Sequence, residues 1–232
     1  MPEPLQYTLE GSVALLHMDD GKANALSDAM IDALVAAIER AEKEASAFVL
    51  SGRPDRFCAG FDLRVMMSGP DAAKALLERG SSLLMKLYET PIPFVAACTG
   101  HALAGGALVL CTADLRIGAE GPYKIGLNEV SIGMPVPVLA MELARDRLAA
   151  SELGRATLFG EIYDPTGAAR AGYLDRVVPA AELLGAAKSE AARLGQLSRR
   201  AFAATKQRLR GQTIRHIRAT LEEDMRDLLA PA

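Results

Sequence analysis

The sequence predicts an α/β fold that ends in a helical region. Strand-like and helix-like segments alternate as far as residue 178. Two of the strand segments, 47–50 and 94–98, are short and wholly apolar, as buried strands are. From residue 180 onward the composition and period are helical. With 232 residues, half of them hydrophobic, the chain can bury one large core.

In order, 5–9 and 13–18 read as strands joined by a turn at Glu10-Gly11, and Asp19-Asp20-Gly21 ends the second. Ser27 is an N-cap for a helix to about Glu44, with Met30, Ile31, Leu34, Val35 and Ile38 on one face. Residues 52–60 read as a loop after the strand 47–50. A helix over 71–88 carries Ala75, Leu76, Leu83, Leu84 and Leu87, and Pro91 and Pro93 stop it before the strand 94–98. A Gly-rich turn at 100–107 opens a helix of small residues through Cys111, and 114–117 and 123–125 are strand candidates. Pro135 and Pro137 precede a helix over 138–148, and another begins near Ser151. Asp164-Pro165 starts a third, and 174–178 is a strand. The remainder, 180–229, is helical with a break near 195–198.

Composition excludes several function classes. A formal charge of −3, from 26 basic and 29 acidic residues, gives no electrostatic case for nucleic acid or an anionic membrane. Basic residues gather between Arg193 and Arg218 and read mainly as a solvated helix face. Three cysteines, Cys58, Cys98 and Cys111, are odd in number and unpaired in spacing, which suits a reduced, cytoplasmic protein. Met1 to Gly11 has neither a basic nor an apolar leader region, and no apolar stretch is long enough to span a bilayer. His17, His101 and His216 lie at no metal-ligand spacing, so no metal site is expected.

Two Gly-containing loops stand out, each expected between a strand and a helix: 56–63 and 100–107. Glycine lets backbone approach a ligand, and a helix N-terminus presents unpaired N–H groups. Two such loops converging would give two donors for one oxyanion. Neither loop is a G-x-G-x-x-G or a G-x-x-x-x-G-K-[ST] fingerprint.

Several phrases resemble the crotonase (enoyl-CoA hydratase/isomerase) superfamily in order and spacing. They are Phe57-Cys58-Ala59-Gly60-Phe61-Asp62-Leu63, the run from Ala96 to Gly106, Ala113-Asp114-Leu115-Arg116-Ile117, and Gly126-Leu127-Asn128-Glu129-Val130 continuing to Pro135. Lys22-Ala23-Asn24-Ala25-Leu26 and the stretch from Ala168 to Val178 resemble two further family phrases. The resemblance implies a spiral of β–β–α turns over 1–180, holding CoA and the active site. It implies a helical trimerisation region over 181–232, and a homotrimer or dimer of trimers.

It also implies an acyl-CoA thioester substrate, with CoA as part of that substrate and no tightly bound cofactor. The thioester oxygen would lie between the backbone N–H groups of Phe61 and Gly105, with Glu129 as the acid–base residue. Family members that hydrate use a second glutamate, whose position here is Leu108. One carboxylate suffices to carry a proton between C2 and C4 of a 3-enoyl thioester, so the resemblance favours an isomerase. The alternatives are a hydratase, using Glu129 alone or with an unplaced carboxylate such as Glu120 or Glu142, and an acyl-CoA-binding protein with altered or lost catalysis. The backbones of Ala23, Ala59, Asp62 and Leu63 fall where the family holds CoA. Lys22, Arg56 and Lys206 are candidates for its phosphates. Asp62 and Asp114 read as capping or turn-closing residues, and His101 as packed or hydrogen-bonded.

Overall fold

The computed structural model describes residues 3–228. Met1 and Pro2, at the head of the segment read for a leader, lie outside the described residues. So do residues 229–232, where the expected last helix and the 181–232 region end. Strands β1 (Leu5–Glu10) and β2 (Val13–Met18) form the predicted antiparallel hairpin. Helix α1 (Asp28–Glu44) starts where expected, with the Ser27 hydroxyl accepting the Met30 N–H.

The chain then turns repeatedly through one strand of a large sheet, one strand of a small sheet, and a helix. The first turn is β3 (Ala47–Gly52), β4 (Asp55–Cys58), a short α2 (Leu63–Met66) and α3 (Pro70–Glu89). The second is β5 (Phe94–Cys98), β6 (Gly100–Leu103) and α4 (Gly105–Thr112). The third is β7 (Leu115–Ala119), β8 (Ile125–Gly126), a single 3-10 turn at Val130–Ile132 and α5 (Val138–Arg147). Helices α6 (Ala150–Thr157) and α7 (Pro165–Ala171) and strand β9 (Arg176–Val178) follow. The sheets run β1-β2-β3-β5-β7-β9 and β4-β6-β8, and beyond the hairpin these strands pair with one another in parallel. This is the expected spiral.

The small sheet is where sequence reading failed. Residues 52–60, expected as a loop, contain β4; the expected turn at 100–107 contains β6; and of the expected strand 123–125 only Ile125 is in a strand, the two-residue β8. Strands of four, four and two residues are too short to display a period.

The inner strands β3 and β5 of the large sheet are buried on both faces, so they read as continuous apolar runs. Phe48, Leu50, Phe94 and Ala96 face α1, α3 and α4, and the rings of Phe48 and Phe94 stack at 4.7 Å. Val49, Val95, Ala97 and Ile117 face the other way, onto Leu183, Ala187 and Ala191 of α8 (Leu183–Leu194). The first helix beyond residue 180 is therefore part of the sheet's own packing, not a separate body.

Helix α9 (Arg199–Leu228) lies on the same chain, with Ile214 and Ile217 in the main core and Leu221 packed on it. Its anchor is ionic. Lys206 donates to the Thr90 carbonyl at 2.9 Å, and Arg210 donates to the Tyr88 and Thr112 carbonyls at 2.7 and 3.1 Å. These are carbonyls left open at the C-terminal ends of α3 and α4, where a cation also meets the helix dipole. Asp114 accepts from both cations, at 2.7 and 2.8 Å, and from the Phe94 N–H at 2.9 Å.

Candidate active site

The two Gly-containing loops meet. The first follows β4 and runs beside the 22–26 loop: Ala59 N–H donates to Ala23 O at 3.1 Å, and Leu26 N–H to Gly60 O at 2.8 Å. The second is the entry to α4. A side chain on Gly60 would put its Cβ 3.1 Å from Leu103 O and 3.3 Å from the Gly105 nitrogen, and Gly60 has φ +90°. A Cβ on Gly106 would fall 2.0 Å from Cys58 O. Only glycine fits this crossing of backbones.

The crossing leaves donors unused. Leu26 and Phe61 form a parallel bridge in which Leu26 donates to Gly60 O and accepts from Asp62 N–H. In that pattern the N–H of the middle residue, Phe61, points away from the bridge. Gly105 opens α4, so its N–H has no partner one turn back and lies at the positive end of the helix dipole. Ala104 before it has φ +48°, a conformation unfavourable for a residue with a Cβ, held in part by its N–H bond to Gly126 O at 3.0 Å.

The Ala104–Gly126 bond also sets where Glu129 falls, three residues past β8. Glu129 is 7% exposed, and its Oε2 has no hydrogen-bond partner among the described residues. Burial raises its pKa above the usual carboxylate range. Its neighbour Asn128 has an unpartnered buried Oδ1 as well. Glu129, Asn128, Phe61, Ala104 and Leu108 line one cavity of about 280 Å3. Its other walls are almost wholly apolar. A carboxylate in such surroundings is a stronger base than one in water, and an unpaired acceptor is ready to take a proton.

The structure thus brings together Glu129, Phe61 and the N-terminus of α4 at Gly105. Ala59 and Leu63 also line the cavity, while Ala23 pairs with Ala59 just outside. Asp62 caps α2 by accepting the Arg64 N–H at 2.9 Å, and the Arg64 guanidinium holds its carboxyl below the usual range. Lys22 and Arg56 are exposed. Neither Glu120 nor Glu142 lines the cavity, and Glu142 bonds Arg145 elsewhere. His101 is hydrogen-bonded, its Nδ1 accepting the Lys124 N–H at 2.9 Å. Burial lifts the Cys58 and Cys98 thiols to about 12, consistent with inert core fillers.

Lys206 requires a correction. Its side chain is 6% exposed and committed to Asp114 and Thr90, so it is an interior anchor and not a group for a CoA phosphate. Sequence reading also passed over Asn24. This buried residue has φ +52°, and its Nδ2 donates to the carbonyls of Met18, Arg56 and Phe57, tying the 22–26 loop to β2 and β4. An asparagine beside a Gly-containing turn was the available signal, since asparagine tolerates left-handed φ.

Comparisons with known proteins show what the chain and its fold resemble. The family described as enoyl-CoA hydratase/isomerase matches residues 8–229. Human mitochondrial enoyl-CoA delta isomerase 1 is 29% identical over 223 residues, covering 94% of this chain and 74% of that protein. A probable enoyl-CoA hydratase of Rhodobacter capsulatus is 32% identical over 205 residues, covering 87% and 79%. The crystal structure of an enoyl-CoA hydratase/isomerase family protein from Pseudomonas syringae matches with TM-score 0.94 at 41% identity, over 97% of this chain and 98% of that one. Human mitochondrial delta3-delta2-enoyl-CoA isomerase matches with TM-score 0.93 at 27% identity, over 97% and 90%.

Proposed function

Since the chain belongs to the enoyl-CoA hydratase/isomerase family, a crotonase-type enzyme, we propose that its reaction is the isomerisation of a 3-enoyl-CoA to a 2-enoyl-CoA. The thioester carbonyl oxygen sits between the N–H groups of Phe61 and Gly105. Glu129 removes a proton from C2, and the electron pair delocalises onto the thioester oxygen through C1 and onto C4 through the C3–C4 double bond, giving a dienolate. The two donors lower the energy of that charge, each worth about 10²–10³ in rate. Glu129 then returns the proton to C4, leaving the double bond between C2 and C3. No water enters the balance, and the carboxylate is regenerated.

The observation that carries this reading is that Glu129 is the single carboxylate among the described residues that line the cavity. Glu129 enters an apolar cavity whose wall holds Leu108 where a hydratase would place its second glutamate. A leucine can neither orient nor activate water. Ala23, Ala59, Asp62 and Leu63 supply the backbone ledge for CoA, with Lys22 and Arg56 outside it for phosphate.

The test is incubation of the purified protein with a short 3-enoyl-CoA, the products being resolved by mass and chromatography. A conjugated 2-enoyl-CoA of unchanged mass is the expected product. A product heavier by one water would replace the isomerase reading with a hydratase. No product with acyl-CoA binding intact would replace it with a binding role.

A further inference from the structure

The Phe61 side chain has a place of its own, apart from its N–H. Helix α3 carries Gly80 in its interior, where glycine is unfavourable relative to alanine. A Cβ on Gly80 would fall 2.0 Å from Cε1 of Phe61 and 2.5 Å from Cζ. All the nearest atoms to that position belong to this one ring. The glycine is therefore the recess into which the ring is set. On its other edge, Cε2 lies 3.3 Å from where a Cβ on Gly105 would stand. The ring is clamped between α3 and the start of α4, and it lines the same cavity as Leu77 and Met66.

We infer that the Phe61 ring, seated on Gly80, is the wall that limits the acyl group, so that the enzyme discriminates acyl-CoA thioesters by chain length at this contact. The inference rests on the cavity being the acyl site, as proposed above. A thioester held at the Phe61 and Gly105 N–H groups must run its chain alongside the ring, because the ring follows directly from one of the donors. The recess prevents the ring from being replaced by α3 itself, and the clamp prevents it from swinging aside. Apart from Asn128 and Glu129, the wall around it is made almost wholly of hydrocarbon and thioether groups. That suits a plain hydrocarbon chain.

Two substitutions pull in opposite directions. Phe61→Ala keeps the N–H but joins the ring's volume to the cavity. Gly80→Ala fills the recess and drives the ring into the cavity. The experiment is calorimetric titration of wild type and both variants with butanoyl-, octanoyl- and dodecanoyl-CoA, saturated ligands that bind without turning over. Phe61→Ala should shift the Kd ratio towards dodecanoyl-CoA by about tenfold, the worth of roughly two further buried methylenes. Gly80→Ala should shift it the other way. Ratios equal to wild type in the folded variants, or shifts in the same direction, overturn the inference. Should Phe61→Ala not fold, Gly80→Ala decides alone. If wild type binds none of the acyl-CoA ligands, the acyl-CoA reading itself falls, and this inference with it.

Discussion

Two carboxylates lie inside this molecule in opposite circumstances. Asp114, 13% exposed at its side chain, accepts from Lys206, Arg210 and the Phe94 N–H. Glu129, 7% exposed, has one oxygen with no partner among the described residues and no cation in contact. The first satisfies its neighbours and fixes α9 to the ends of α3 and α4. The second leaves desolvation uncompensated, and its pKa rises. Burial is common to both. What separates a structural carboxylate from a reactive one is whether the fold supplies donors or withholds them.

The largest expected effects test the reactive side. Gly105→Pro removes one N–H and distorts the entry to α4, so turnover should fall below detection in a steady-state assay of a protein that still folds. Normal turnover would remove Gly105 from the donor pair. Glu129→Gln keeps the shape and deletes the base. Its kcat should fall by about 10²–10⁴, while calorimetry shows acyl-CoA still bound. Unchanged turnover in this variant would end the assignment of Glu129.

The structural side is tested by exchanging the roles. Asp114→Ala leaves two buried cations without their carboxylate, a change that costs about 3–5 kcal/mol in comparable buried pairs. Denaturant titration should show that loss, with turnover per folded molecule preserved. Lys206→Met should lower the melting temperature and leave the affinity for CoA unaltered. Weakened CoA binding without loss of stability would restore Lys206 to the phosphate site.

The same contrast explains what the sequence disclosed. The inner strands of the large sheet were legible because strands buried on both faces are apolar, and α1 because its period and its Ser27 cap agree. The helical character beyond residue 180 was visible too, but not what its helices pack against. The small sheet was hidden by its length: β4, β6 and β8 have four, four and two residues. In the site, Glu129 stood out only through its register with family phrases, since a glutamate in a loop carries no mark of burial. Lys206 was misread because a lysine among surface arginines looks like one of them. Its distinction is a carboxylate 92 residues earlier in the chain. Gly80 and Phe61 show the same limit, for a recess and the ring that fills it belong to different elements.

The smallest effect is the most direct test of the contrast. Burial raises the pKa of Glu129 in the folded state above its value in the unfolded chain. The folded protein therefore favours the neutral carboxyl, and stability is lost as pH rises through the raised pKa. Glutamine imitates the neutral form and carries no such loss. Glu129→Gln should accordingly melt slightly above wild type at pH 7. The difference should shrink as pH falls through the raised pKa and vanish below the range of a solvated glutamate, about 4.3. Asp114→Asn should behave oppositely at pH 7 and melt well below wild type, because it takes the partner charge from the buried Lys206 and Arg210. If both variants shift the melting temperature the same way at pH 7, the two carboxylates are not the opposites their surroundings imply.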